Sequence, residues 1–193
     1  MNKIIGLTGP TGSGKSSAAL IAKNFDIKVV DCDKLARKAV KKGSPGLKSL
    51  VAAFSPGILK KDGALNRREL AKRAFSSKEN TELLNKTLLP HIAKLVRAEL
   101  DGKTVLLDAP TLFESGLDSV CDVTIAVLAN KEDRIRRIIN RDKLSYDDAI
   151  LRINAGKDDE YYKERADFVV YNNKEIQKYI NEISEIFHKY TEE

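Results

Sequence analysis

The chain contains no tryptophan, one methionine, two histidines and two cysteines among its 193 residues. Each shortage removes a class of protein. Aromatic residues supply 6% of the chain, so the core has to be built mainly from Leu, Ile, Val and Ala. Cys32 and Cys121 are too few for a disulfide-stapled scaffold, and both stand in apolar or strand-end surroundings, as reduced buried thiols do. No His/Cys cluster has the spacing of metal ligands, so zinc held by the protein is not expected. Apolar runs never approach the roughly 18 residues a membrane span requires. The first residues carry one lysine and then only Ile4, Ile5 and Leu7 around Gly6, which is no signal-peptide pattern, and a cytoplasmic location is expected. A Lys/Arg tract with interleaved aromatics is also missing, so no nucleic-acid groove is expected.

What remains fits one compact domain, with room for an insertion. Hydrophobic residues make up 42%, too many for a disordered chain. Lys plus Arg number 34 against 28 Asp plus Glu, and the net charge of +6 suits phosphate-bearing ligands. Apolar runs that read as buried strands occur in "KIIGLTG", "IKVVD" (ending on Asp31 and Asp33), "KTVLLDAP", "CDVTIAVLA" and "ADFVVYNN". Helical patterns lie between them. In the first, Leu20, Ile21 and Phe25 are spaced for one face; in the last, Ile176, Ile180, Ile183 and Phe187 form a stripe. Residues 44–101 show helical spacing only, broken at "SPG" and "DG". Strands alternating with helices predict a parallel, doubly wound α/β sheet.

The stretch "GLTGPTGSGKS" carries the chemistry. Gly9, Gly14, Lys15 and Ser16 fit G-x-x-x-x-G-K-[ST], placed between a predicted strand and a predicted helix. Glycines let the backbone wrap an anion with successive N–H groups turned inward, and the helix that starts there adds its positive end. Lys15 is then placed to reach the outer phosphates, and the Ser16 hydroxyl to bind the Mg²⁺ that bridges them.

Such a loop does not say what becomes of the phosphate. "NKED" at 130–133 matches the way GTPases read guanine, but the Asp-x-x-Gly they also need is replaced by "DAPT", with Thr111 in the glycine's place. A helix N-terminus rich in acidic residues accounts for "NKED" better. Asp31 and Asp33 lie at a strand's carboxyl end, the edge that faces the phosphate loop in a doubly wound sheet. One carboxylate there suits an acceptor hydroxyl and the other a helix N-cap. Asp108 ends a neighbouring strand and either holds Mg²⁺ through water or caps the next helix. Arg137 and Arg141 are one turn apart, as a pair sharing one anion would be.

Taken together, the chain resembles the dephospho-coenzyme A kinase family. The segments that carry the likeness are "GLTGPTGSGKS", "VVDCDKLARKAVKKG", "DGALNRREL" with "RAF", "DAPTLFESG", "RIRRIINRD" and "ADFVVYNN", in family order. The resemblance implies an α/β P-loop NTPase fold of the nucleoside monophosphate kinase-like type: three layers, a five-stranded parallel sheet, a helical insertion and a lid. The nucleotide-binding core would comprise residues 1–33, 104–136 and 166–193, the acceptor-binding insertion 34–103 and the lid 137–165. The implied reaction moves the γ-phosphate of ATP, with Mg²⁺, to the ribose 3′-hydroxyl of dephospho-coenzyme A, the last step of coenzyme A synthesis. Asp33 matches the base, and Arg37 a residue facing the acceptor. Gly9, Gly12, Ser13, Gly14, Lys15, Ser16 and Ser17 match the ATP loop. Arg137 and Arg141 match lid residues that clamp phosphates, and Asn172 a position near the adenine. Phe113 and Glu114 are expected to pack or orient the acceptor. Leu89 stands where the family has His before Pro90, so His91 does not inherit that residue's place. Thr111 replaces a Leu and Gly156 a Gln, whose lid-end contact is either lost or passed to Lys157. His188 is expected to be structural or solvated.

Overall fold

The computed structural model describes residues 2–173 and 175–191. Five strands, β1 (Ile4–Thr8), β2 (Lys28–Asp31), β3 (Val105–Asp108), β4 (Val123–Leu128) and β5 (Phe168–Tyr171), form one sheet in the order β2-β3-β1-β4-β5. Every pairing is parallel, as the alternation of strands and helices predicts. Register sets the strand ends side by side. Leu7 and Asp31 both pair with Asp108, so the carboxyl ends of β1, β2 and β3 open at one edge. Ligands of open parallel sheets bind at that edge.

Alternating side chains serve the two faces of the sheet. Ile5, Leu7, Leu106, Ile125 and Val127 pack against α1 (Lys15–Ala22) and α9 (Ile176–Thr191). Ile4, Val105 and Leu107 pack on the opposite side against α2 (Cys32–Ala39) and α5 (Lys78–Glu99). Gly6 is required on that side: a Cβ there would lie 2.8 Å from both Cys121 Sγ and a Leu112 methyl. These faces make the three layers.

The stretch expected to be helical holds α3 (Pro45–Phe54), α4 (Arg67–Ala74) and α5, which pack around Leu50, Phe54, Ile58 and Leu70. The 22 residues of α5 run through Pro90. His91 faces α3, with Nε2 2.9 Å from Ser49 Oγ. Beyond β4, α6 (Lys131–Asp142) and α7 (Tyr146–Asn154) share a small cluster of their own, and α8 (Asp159–Lys163) lays Tyr162 against β4.

Three local expectations differ from the structure. In α1 the buried stripe is Ala18 and Ala22, while Leu20 is 63% exposed. Small residues one turn apart let α1 lie close on the sheet, and Leu20, two positions past Ala18, turns outward. In α9 the buried side chains are Tyr179, Ile183, Ile186 and Phe187; Ile176 is left 53% exposed. Asp33 does not end β2 but lies in the first turn of α2, because the Asp31 side chain accepts from Lys34 N at 3.0 Å and starts the helix earlier. Cys32 and Cys121 are free thiols, and burial pushes each up to about 12, so both stay protonated. Among the described residues, no helix is long and apolar enough to cross a membrane.

Candidate functional site

The loop between β1 and α1 has the backbone its glycines predict. Gly9, Gly12 and Gly14 have φ of 146°, 80° and 91°. Each also lacks room: a Cβ on Gly9 would strike Val127 O, and one on Gly14 the Asn172 amide. Gly14 is the N-cap of α1, so the helix begins at Lys15 with its first amides facing the loop. Ser13 is 1% exposed, and its Oγ is buried without a partner among the described residues.

Residues 9–17 line one wall of a cleft of 1220 Å³. Pro110, Thr111 and Glu114 line another, and Arg137, Arg141 and Arg152 come from α6 and α7. The cleft thus gathers most of the residues expected at a phosphate site. Lys15 is ion-paired with Asp108 at the end of β3. Burial pulls the Lys15 ammonium down from 10.5 to about 8, against the charges around it, of which Asp33 has the strongest effect.

Arg137 and Asn172 brace the loop from the cleft. Arg137 Nη1 donates to Ser13 O at 3.0 Å and Gly12 O at 3.3 Å, and its Nη2 to Asn172 O at 2.8 Å. Asn172, 4% exposed, donates from Nδ2 to Ser13 O at 3.0 Å. Here it is a buried brace under the loop as well as a wall of the cleft. Arg141 is bound twice by Asp142, at 2.8 Å each.

Asp33 and Arg37 lie outside the cleft wall, exposed one turn apart on α2, with the Asp33 charge still felt at Lys15. Phe113 turns away from the cleft and packs edge-on against Tyr161, ring centroids 6.2 Å apart. Glu114 is anchored by its carbonyl, which accepts from Asn85 Nδ2 at 2.6 Å, while Oε2 is buried without a partner among the described residues. Gly156 and Lys157 both reach the cleft. Two arginines join the site that motif spacing does not mark, Arg134 and Arg152. A weaker signal was present: Arg134 precedes Arg137 by one turn, and Arg152 is on the cleft side of α7.

An anion with a hard cation fits this set. The wall offers a glycine cradle closed to Cβ atoms, a lysine, three arginines and the Ser16 hydroxyl, with the Asp108 carboxylate paired to that lysine. No group of three or more His, Cys, Asp or Glu able to hold a metal occurs among the described residues. A cation there would be shared with the phosphates.

Comparison with known proteins agrees with this chemistry. The dephospho-CoA kinase family model matches residues 3–178. A dephospho-CoA kinase of Corynebacterium glutamicum is 39% identical over 179 residues, covering 90% of this chain and 92% of the relative. One from Listeria innocua is 38% identical over 184 residues, covering 92% of each. The crystal structure of TT1252 from Thermus thermophilus superposes with a TM-score of 0.73 at 31% identity, covering 97% of both chains. With its P-loop, sheet order and cleft, the chain belongs to the dephospho-CoA kinase family.

Proposed function

We propose that the protein transfers the γ-phosphoryl group of ATP to the ribose 3′-hydroxyl of dephospho-CoA, releasing ADP and coenzyme A. The observation that carries this reading is Lys15, half-buried at the mouth of the glycine loop, ion-paired to Asp108 and within the field of Asp33.

In this reading the loop amides and Lys15 bind the ATP phosphates, and Gly12–Ser17 form the cradle. Ser16 would hold Mg²⁺, with Asp108 acting through a water. The ion, when bound, neutralises charge on the phosphoryl oxygens. Asp33 takes the proton from the 3′-hydroxyl as that oxygen attacks the γ-phosphorus and ADP leaves on the far side. Arg37 and Glu114, with Phe113 behind, orient the acceptor, which enters along the helical insertion at 34–103. Asn172 sets the nucleotide's depth by fixing Ser13. Residues 137–165 act as the lid. Their arginines, Arg137 and Arg141, follow the charge that spreads over the equatorial oxygens, and closure excludes water that would waste ATP.

A coupled ADP-release assay tests the proposal. Dephospho-CoA should stimulate turnover with ATP, and product analysis should place the new phosphate on the ribose 3′-oxygen. Equal stimulation by nucleosides would point to another acceptor. Preference for GTP with no acceptor stimulation would point to a nucleotide switch.

A further inference from the structure

A peptide unit is planar and trans, so its C=O and the following N–H point in opposite directions. Any loop that turns amides toward an anion therefore turns carbonyls away from it, and those carbonyls need donors behind the loop. In this protein the donors are arginines of α6. Arg137, which also lines the cleft, takes Gly12 O and Ser13 O, while the Ser13 N–H is held inside the loop by Pro10 O at 3.1 Å. One helical turn earlier, Arg134 Nε donates to Thr11 O at 3.0 Å, which directs the N–H of Gly12 to the other side.

Arg134 is the less expected of the two. It is 5% exposed. Its backbone is also pressed against the loop: a Cβ on Gly12 would lie 2.8 Å from Arg134 O and 3.1 Å from its Cα. The far end of the guanidinium meets α8, where Nη1 is 3.4 Å from Asp159 Oδ1. Nη2 is buried without a partner among the described residues. A buried cation with one long ion pair and an unmet donor is a poor source of stability, and an apolar chain of similar length would fill the space more favourably. What the guanidinium does supply is a charged hydrogen bond to the tip of the phosphate loop and a tie from that tip to α8. Donation to a carbonyl also polarises the peptide and strengthens the N–H beyond it.

We propose that Arg134 is a positioning residue for the nucleotide: it holds the Thr11–Gly12 peptide so that the Gly12 amide faces the phosphates, and through Asp159 it couples the loop to α8. This rests on the cleft being a nucleotide site, and it places phosphate-loop geometry under the control of a helix within the proposed lid.

Two variants of the full chain separate positioning from packing. Arg134→Met keeps the length and removes every donor; Arg134→Gln keeps a donor able to reach Thr11 O. ADP binding is measured by titration calorimetry, folding by thermal melts, and KM for ATP and for dephospho-CoA by the coupled assay. Arg134→Met is expected to weaken ADP binding about tenfold and raise the ATP KM in step, as loss of one charge-assisted hydrogen bond does. Arg134→Gln is expected to stay within about threefold of the parent, and the dephospho-CoA KM within about twofold in both. Unchanged ADP affinity in a folded Arg134→Met protein overturns the proposal, and so does Arg134→Gln binding no better than Arg134→Met. Should Arg134→Met not fold, Asp159→Asn takes its place: about threefold weaker ADP binding supports the coupling, and no change overturns it. The ADP measurement does not depend on the acceptor. If the parent protein fails to phosphorylate dephospho-CoA while Arg134→Met still loses ADP affinity, the functional proposal falls and the role of Arg134 stands.

Discussion

Lys15 and Asp108 form an ion pair between the first turn of α1 and the last residue of β3. The pair does not keep Lys15 at its ordinary value: burial brings the ammonium from 10.5 down to about 8, and Asp33 offsets only part of that. Phosphate needs the charged form. ADP affinity should therefore hold from pH 6.5 to 7.5 and fall above 8, approaching about tenfold per pH unit as a single proton is taken up on binding. Stability should move the opposite way. Between 8 and 10.5 the unfolded chain holds a proton that the folded chain has lost, so this group adds stability as pH rises through that window and adds none below it. Calorimetric titrations and melts across pH 7–9.5 check both slopes, and Lys15→Met should flatten both while lowering turnover roughly a hundredfold or more.

Asp31 and Asp33 are two residues apart and should fail differently. Asp31 accepts from Lys34 N at 3.0 Å and caps α2, so Asp31→Ala should lower stability by about 1 kcal/mol with modest loss of turnover. Asp33 is exposed and its charge reaches Lys15, so Asp33→Asn should leave the melting curve in place and lower kcat roughly a hundredfold or more. Near-native kcat in Asp33→Asn would remove it from the role of base.

Gly14→Ala combines two penalties. The residue has φ of 91°, and the added Cβ would run into the Asn172 amide, which holds Ser13 O. Asn172 is buried and tied to the loop, so it has little freedom to yield. ADP binding should drop beyond about tenfold and the melting temperature should fall as well. Asn172→Ala should reproduce the binding loss with a smaller loss of stability. Calorimetry on both variants distinguishes a displaced loop from an unfolded one.

The parts of the fold and cleft that were legible in the sequence have local causes. The glycine pattern specified its own φ values, because only glycine takes them without strain. Strand runs were visible because parallel strands buried on both faces read as continuous apolar segments. What the sequence hid depends on packing partners. Leu20 looked like core by spacing, yet the close approach of α1 to the sheet selected Ala18 and Ala22 instead. Arg137 reads from its motif as a phosphate clamp, but only the fold shows its guanidinium also occupied by Gly12 O, Ser13 O and Asn172 O. Arg134 looked like one more charge on a basic helix, since nothing local marks a cation that will be buried against Thr11 O, a residue more than 100 positions away.

Asp142 stands between two arginines that line the cleft. Arg141 meets it through Nε and Nη2 at 2.8 Å each, and Arg152 through Nη1 at 2.6 Å. With Arg141 and Arg152 at least half exposed, the trio adds little to stability. It does fix the direction of two positive charges that would otherwise repel each other and sample many rotamers. A phosphate entering the cleft would then meet arginines already oriented, and Asp142 would hold Arg152 while Arg141 turns to the anion. Asp142→Asn keeps the shape and removes that anchor. It should leave the melting temperature within a few degrees and raise the ATP KM about threefold, an effect that shrinks as salt screens exposed charges. Arg141→Ala should lower kcat more than it raises KM, because a lid arginine acts on charge that develops only as the phosphoryl group moves. If Asp142→Asn shifts the melting temperature and neither kinetic constant, the three side chains merely tie α6 to α7, and Arg141 would have to reach the phosphates without being aimed by its neighbour.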